Sequence, residues 1–123
     1  MRASSTSPAT HLIPTSRSRT LPSSYLISQY FSRGAEGIDF AANLAISTLD
    51  FGTFHLYPVP WGATADPTAW GTQWIADHAA LQKSVGKPVI IEEFGLDADD
   101  QVTPYKAWLG QVISSGLAGD LIW

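Results

Sequence analysis

The stretch that decides the fold is Gly86-Lys87-Pro88-Val89-Ile90-Ile91-Glu92-Glu93-Phe94-Gly95. A short apolar run, bounded by Gly-Lys-Pro before it and Phe-Gly after it, predicts a buried strand. An ionised carboxylate at its end is costly unless it is paired or lies where the strand meets a cleft. Because successive strand side chains point to opposite faces, we expect Glu93 on the face of Ile91 and Glu92 on that of Ile90. One glutamate is then expected to face a functional site and the other to contact the surrounding protein structure. Two solvated residues at a strand-to-loop junction are the alternative.

Helix signals lie on both sides of this strand. Asp66-Pro67 and Thr103-Pro104 each place a capping side chain before a proline, which predicts a helix start. Gly86 and Gly116 predict left-handed helix ends. The predicted elements are strands near 51–57, 88–93 and 119–123, helices near 67–85 and 104–115, and a short helix capped by Asp39. This alternation predicts an α/β fold with parallel strands and crossover helices.

Each long helix carries an apolar stripe at helical spacing, which predicts the face that it buries. The first stripe consists of Trp70, Trp74, Ile75, Leu81 and Val85, with His78 on the same face. The second consists of Tyr105, Trp108, Leu109, Val112 and Ile113.

Charge and composition exclude several classes of protein. Residues 1–35 contain four arginines and no acid, whereas residues 36–123 contain three lysines and all eleven acids. An acidic body argues against a nucleic-acid partner, which normally meets a basic face. The chain has no cysteine, and its histidines at 11, 55 and 78 lack metal-ligand spacing. We therefore expect no thiol chemistry and no metal site. No apolar run is long enough to span a membrane.

Three features fall at the carboxyl ends of predicted strands: His55 with Tyr57, then Glu93, then Trp123. In a barrel of parallel strands, this is the edge where chemistry is done. His55 and Tyr57 are two residues apart and so share a face of their strand. A pair of hydrogen-bonded structural residues is the alternative interpretation for His55 and Tyr57.

Together these residues resemble a known family. The motifs are Asp50-Phe51-Gly52-Thr53-Phe54-His55-Leu56-Tyr57-Pro58, Trp61-Gly62, Trp70-Gly71-Thr72-Gln73-Trp74-Ile75, His78, Gly86-Lys87-Pro88 and Glu92-Glu93-Phe94-Gly95. In order and spacing they resemble glycoside hydrolase family 5, in particular the fungal endo-β-1,4-mannanases. The resemblance covers residues 34–123, which predicts a partial barrel domain there. Residues 1–33 do not share it and are interpreted as a disordered or non-family leader, with residues 1–24 rich in Ser, Thr and Pro.

The resemblance implies a (β/α)8 barrel of which this chain holds strands six to eight and is incomplete as given. It implies that Glu93 is the catalytic nucleophile, that His55 and Tyr57 line the sugar site, and that Trp123 forms a sugar platform. The family's acid/base is a Glu that follows an Asn. The only Asn here, Asn43, is followed by Leu44, so this half of the machinery is missing.

The implied function is retaining, endo-acting hydrolysis of β-1,4-mannan. The resemblance also implies a polysaccharide substrate, no cofactor, no nucleic-acid or membrane partner, a monomeric parent enzyme and secretion. Two alternatives stay open: a cellulase or β-glucanase of the same family, and a small non-catalytic α/β binding module.

Overall fold

The computed structural model describes residues 39–123, so the predictions for residues 1–24 and for the leader 1–33 lie outside the described residues. In chain order the elements are α1 (Phe40–Leu44), β1 (Gly52–Leu56), α2 (Pro67–Val85), β2 (Val89–Phe94), α3 (Val102–Ser115) and β3 (Gly119–Asp120). Each predicted helix and strand is present within a few residues of its expected position.

The three strands form one sheet in the order β1-β2-β3, and both neighbouring pairs are parallel. Gly52 pairs with Val89 and Phe54 with Ile91, but His55 pairs with Glu93, so the register shifts by one residue between Phe54 and His55. A β-bulge of this kind leaves one residue of the longer strand unpaired and bends it. The parallel α/β architecture predicted from the alternation of elements is therefore confirmed.

The core lies between one face of the sheet and the two long helices. Its residues are Phe54, Leu56, Val89, Ile91 and Phe94 from the strands, with Trp74, Ile75, Ala79, Trp108 and Val112 from the helices. Burying apolar area of this kind stabilises a fold by about 25 cal/mol per Å². The helices occupy one side of the sheet, which leaves the side chains of Thr53 and His55 exposed on the other.

The two long helices approach each other closely where α2 carries a glycine. A Cβ atom at Gly71 would lie 2.4 Å from Nε1 of Trp108. The same indole nitrogen donates to the carbonyl oxygen of Thr68 at 3.1 Å. Gly71 therefore leaves the space that lets Trp108 reach the backbone of α2.

Gln82 joins three parts of the chain through one side chain. Its Oε1 accepts from the amide of Val89 at 2.8 Å and from that of Ala118 at 3.1 Å. Its Nε2 donates to the carbonyl oxygen of Gly116 at 2.7 Å. The start of β2 and the segment before β3 are thereby held at the end of α2.

The helix ends follow the predicted capping, with one correction. Asp66 accepts from the amide of Ala69 at 2.9 Å, and Gly86 and Gly116 close their helices at φ of 76° and 72°. Helix α3 begins at Val102 instead of residue 104. The expected Thr103 cap was wrong: the N-cap residue is Gln101, which makes no side-chain cap bond, and the carboxylate of Asp100 accepts from the amide of Thr103 at 3.1 Å.

Two further expectations differ from the structure. Ile113 was expected on the buried stripe of α3 but is 81% exposed, because the helix packs through Trp108 and Val112 and Ile113 lies beyond the edge of that contact. Strand β3 was expected to reach residue 123 but ends at Asp120. Its last backbone bond to β2 runs from the amide of Leu121 to the carbonyl of Ile91, next to the bulge.

Candidate active site

Two neighbouring strands bring three of the predicted site residues together. His55 is the fourth residue of β1, Tyr57 follows that strand directly, and Glu93 pairs with His55 across the sheet. The Tyr57 hydroxyl donates to Oε2 of Glu93 at 3.0 Å. Nδ1 of His55 lies 3.4 Å from the same oxygen. The parallel pairing thus brings Tyr57 and Glu93, which are 36 positions apart, into a hydrogen bond, with His55 in contact with the same carboxylate.

Both contacts to Glu93 involve the same oxygen. Tyr57 and His55 meet Oε2, whereas Oε1 has no hydrogen-bond or ion-pair partner among residues 39–123. A carboxylate held through one oxygen keeps its other oxygen available as an acceptor or nucleophile. A nucleophilic carboxylate requires this geometry, because the contacts that orient it must leave one oxygen free to attack.

The surroundings of Tyr57 keep its hydroxyl protonated, so that it can donate a hydrogen bond. Burial raises the pKa of Tyr57 above its usual value of 10.0, and the hydrogen bond to Glu93 and the negative charge of Glu93 raise it further. The phenol therefore stays protonated at neutral pH. The protonated phenol therefore remains a hydrogen-bond donor to the Glu93 carboxylate.

Glu92 does not point away from this group, and the expectation that it would was wrong. Its Oε2 lies 3.5 Å from Nε2 of His55, so the two glutamates contact opposite nitrogens of one imidazole. Glu92 lies on the face of Ile90, as alternation predicts, but the expectation that Glu93 shares the face of Ile91 was wrong. Ile91 is buried in the core, and the register shift makes Glu92 the extra residue and brings Glu93 to the face of His55. Sequence reasoning missed that both glutamates share this face, because alternation carries no signal for a bulge.

Gly95 explains how Tyr57 fits against the strand end. A Cβ atom at Gly95 would lie 3.0 Å from Cε1 of Tyr57. The amide of Gly95 donates to the carbonyl of Leu56 at 3.1 Å, which continues the pairing of the two strands past Glu93. The glycine after Glu-Phe therefore allows the tyrosine ring to approach the carboxylate.

Trp123 is at the same end of the sheet but is not part of this contact group. It lies three residues beyond β3 and is 85% exposed. Its role as a sugar platform stays a prediction. The ring of Trp61, in the Trp61-Gly62 motif, stands edge-on to Tyr57 with centroids 6.1 Å apart.

His78 belongs to the core. Its ring stacks on Phe54 with centroids 3.9 Å apart, and its Nδ1–H donates to the carbonyl of Trp74 at 2.8 Å. Burial lowers the pKa of His78 from 6.5 to about 4, although the bond to Trp74 opposes this shift. A neutral, packed histidine of this kind has a structural role.

Within residues 39–123 there is no group of three or more His, Cys, Asp or Glu side chains that could hold a metal ion. None of the helices described in that range is long and apolar enough to cross a membrane.

The site is an oriented carboxylate at the strand ends of a parallel α/β unit. Solved structures of similar fold are mannanases. The chain is similar to the endo-1,4-β-D-mannanase of Thermotoga petrophila, with a TM-score of 0.68 and 39% identity over 70% of this chain and 25% of that one. It is also similar to the endo-1,4-β-mannanase of Rhizomucor miehei, with a TM-score of 0.66 and 49% identity over 73% of this chain and 25% of that one.

Curated sequences give the same result. The chain is 49% identical over 88 residues to a probable mannan endo-1,4-β-mannosidase F of Emericella nidulans, which is 72% of this chain and 20% of the relative. It is 46% identical over 90 residues to the mannan endo-1,4-β-mannosidase A of Aspergillus aculeatus, 72% of this chain and 22% of the relative. No protein-family model matches the chain.

The resemblance to the fungal endo-β-1,4-mannanases is therefore confirmed: the chain is mannanase-like in sequence and in fold. It spans about a fifth of the length of the curated relatives that it matches.

Proposed function

We propose that this chain supplies the nucleophile half of a retaining endo-β-1,4-mannanase and corresponds to strands six to eight of the (β/α)8 barrel, with the partial domain at 34–123. The observation that carries the proposal is the pair of contacts to one oxygen of Glu93, from Tyr57 and His55, at the carboxyl end of parallel strands. The relatives named as mannan endo-1,4-β-mannosidases support mannan as the polysaccharide.

In this mechanism Oε1 of Glu93 attacks the anomeric carbon of a mannosyl unit. The bond from that carbon to the leaving glycosidic oxygen breaks, and a covalent glycosyl ester forms on Glu93. Tyr57 and His55 hold Oε2 and so fix the attacking oxygen. A second carboxyl group about 5–5.5 Å away must protonate the leaving oxygen and then activate water. The acid/base of the family follows an Asn, and no Asn-Glu pair occurs in this sequence.

The proposal extends to the remaining parts of the site. Trp123 would present its indole face to the sugar once the rest of a barrel closes around it, since flat aromatic faces suit the apolar faces of sugar rings. The enzyme so completed is secreted and monomeric, needs no cofactor and acts on an extended polysaccharide.

The test is a graft. Residues 39–123 replace the matched segment of the Rhizomucor miehei mannanase, and release of reducing ends from β-mannan and from cellulose is measured. We expect mannan hydrolysis, and a loss of about 10⁴-fold or more for Glu93→Ala, since losses of this order follow removal of an enzymatic nucleophile. Asp99→Ala, an exposed acid in the following loop, is the matched control.

Rescue by azide tests the role of Glu93 as the nucleophile more specifically. Added to the Glu93→Ala graft, it should restore turnover and give a glycosyl azide of inverted configuration, because a small nucleophile then occupies the place of the carboxylate. A graft that hydrolyses cellulose in preference to mannan would overturn the substrate. A folded graft with no activity on either would favour the non-catalytic module.

A further inference from the structure

His55 lies between two carboxylates. Its Nδ1 is 3.4 Å from Oε2 of Glu93 and its Nε2 is 3.5 Å from Oε2 of Glu92. The third polar neighbour from the packed elements is Tyr57, whose ring stands edge-on to the imidazole with centroids 6.4 Å apart. Ordinary alternation places Glu92 on this face with Ile90, and the bulge brings Glu93 to the same face.

The imidazole has little else to hold it. Its side chain is 44% exposed, and among the described residues its side-chain polar contacts are those to the two glutamates. An exposed ring with one anchor can rotate about χ2, which is broad and roughly two-fold for histidine. A protonated imidazole carries a hydrogen on each nitrogen, so the two carboxylates then fix both the plane of the ring and the direction of Nδ1.

We infer that Glu92 is a positioning residue: it holds Nε2 of His55 so that Nδ1 faces Oε2 of the nucleophilic Glu93. The inference rests on the proposed function for the role of Glu93, but its geometric part concerns the imidazole alone. In this arrangement Glu92 contacts neither the sugar nor the reacting atoms. It acts through His55, which together with Tyr57 leaves Oε1 of Glu93 as the attacking oxygen.

The first measurement needs no catalytic activity. In the 123-residue chain with histidines labelled at the ring carbons, NMR relaxation gives an order parameter for the His55 ring. We expect a rigid ring in the wild-type chain and a fall into the flexible range, below about 0.6, for Glu92→Ala. Glu92→Gln keeps an acceptor oxygen and should retain the rigid ring. Asp99→Ala is the charge control and should leave it unchanged. A ring equally ordered in Glu92→Ala and wild type would overturn the inference.

The second measurement tests the role. In the graft, Glu92→Ala should lower kcat about tenfold to a hundredfold with little change in KM, since small misplacements of reacting groups cost about this much. Glu92→Gln should recover most of kcat. An unchanged kcat in Glu92→Ala would overturn the role. So would a loss as large as that of Glu93→Ala together with loss of the alkaline limb of the pH profile, because Glu92 would then be an acid/base. An inactive unsubstituted graft would instead count against the proposed function, and the ring order would still decide the geometry.

Discussion

At the scale of single residues, the site depends on the contacts that Tyr57 and His55 make with Oε2 of Glu93. That these three residues converge was predicted from the sequence, because a parallel pairing brings the ends of neighbouring strands together. That Glu92 joins this group was not predicted. Alternation separates Glu92 from Glu93, and the shifted register that pairs His55 with Glu93 brings both glutamates to one face. Pairing irregularities depend on both strands, so one strand's own sequence does not encode them.

The bond between Tyr57 and Glu93 predicts a linked titration. Because burial, the hydrogen bond to Glu93 and its charge all raise the pKa of Tyr57, Glu93→Gln should lower that pKa toward its usual value. It should stay above the usual value, since burial is the largest cause and remains. An NMR titration of the tyrosine ring carbons measures this, with Glu92→Gln as the comparison. A Tyr57 titration unaffected by Glu93→Gln would show that the bond does not form in solution.

His78 predicts a pH-dependent stability. Its pKa is about 4 when folded against 6.5 when exposed, so between these values the unfolded chain binds the extra proton. Stability is full above pH 6.5 and is lost as pH falls toward 4. From pH 7 to pH 5 the loss is about 2 kcal/mol from this residue. Denaturant titrations should show a pH dependence smaller by this amount in His78→Gln. Equal pH dependence in both proteins would contradict a neutral buried His78.

At the scale of elements, helix boundaries followed from caps wherever the cap was adjacent to the apolar pattern. Asp66 and Gly86 set both ends of α2 as predicted. Helix α3 begins earlier, with Gln101 as its N-cap residue and the proline inside the first turn, and the Asp100 carboxylate accepts from the amide of Thr103. Both Asp100 and Thr103 are capping residue types, and the choice between them is made by the loop that leads into the helix.

The capping assignment gives a paired test. Asp66→Ala should lower the free energy of unfolding by about 1 kcal/mol. Asp100→Ala should lower it in the same direction, because each change leaves a helix amide without its acceptor. Thr103→Ala should have little effect, since its side chain does not cap. Urea titrations of the three variants decide this. A larger loss for Thr103→Ala than for Asp100→Ala would restore the cap first expected from the sequence.

The contact between α2 and α3 predicts opposite outcomes for two glycines. Gly71→Ala gains helix propensity but forces Trp108 aside, and overpacking of this kind costs about 1–3 kcal/mol. Gly110 lies in α3 with nothing near its missing Cβ, so Gly110→Ala should stabilise by about 1 kcal/mol. Thermal melts of the two variants make the comparison. A Gly71→Ala protein as stable as Gly110→Ala would contradict the close packing.

At the scale of the whole molecule, the described sheet has three strands, with β1 and β3 each paired on one side only. Its second face is exposed at Thr53 and His55. The alternation of elements was enough to predict this parallel unit. The sequence predicted too long a β3, because a short apolar segment has the pattern of a strand whether or not it pairs with a neighbouring strand.

Exposed apolar residues beyond β3 predict self-association. Leu121, Ile122 and Trp123 are each more than half exposed beside an unpaired edge, and such edges pair with other chains. Sedimentation velocity should show association that rises with concentration and falls in Ile122→Lys. Ile113→Lys, an equally exposed apolar position on α3, is the control and should not disperse it. A monomer at all concentrations would contradict the exposed edge.

Covalent trapping of the nucleophile shows directly whether Glu93 attacks the sugar. The graft is incubated with a 2-deoxy-2-fluoro-mannosyl fluoride, which forms the glycosyl ester but hydrolyses slowly, and the labelled peptide is sequenced by mass spectrometry. We expect one sugar per protein, attached to Glu93. A sugar on Glu92, or on a residue outside the grafted segment, would contradict it.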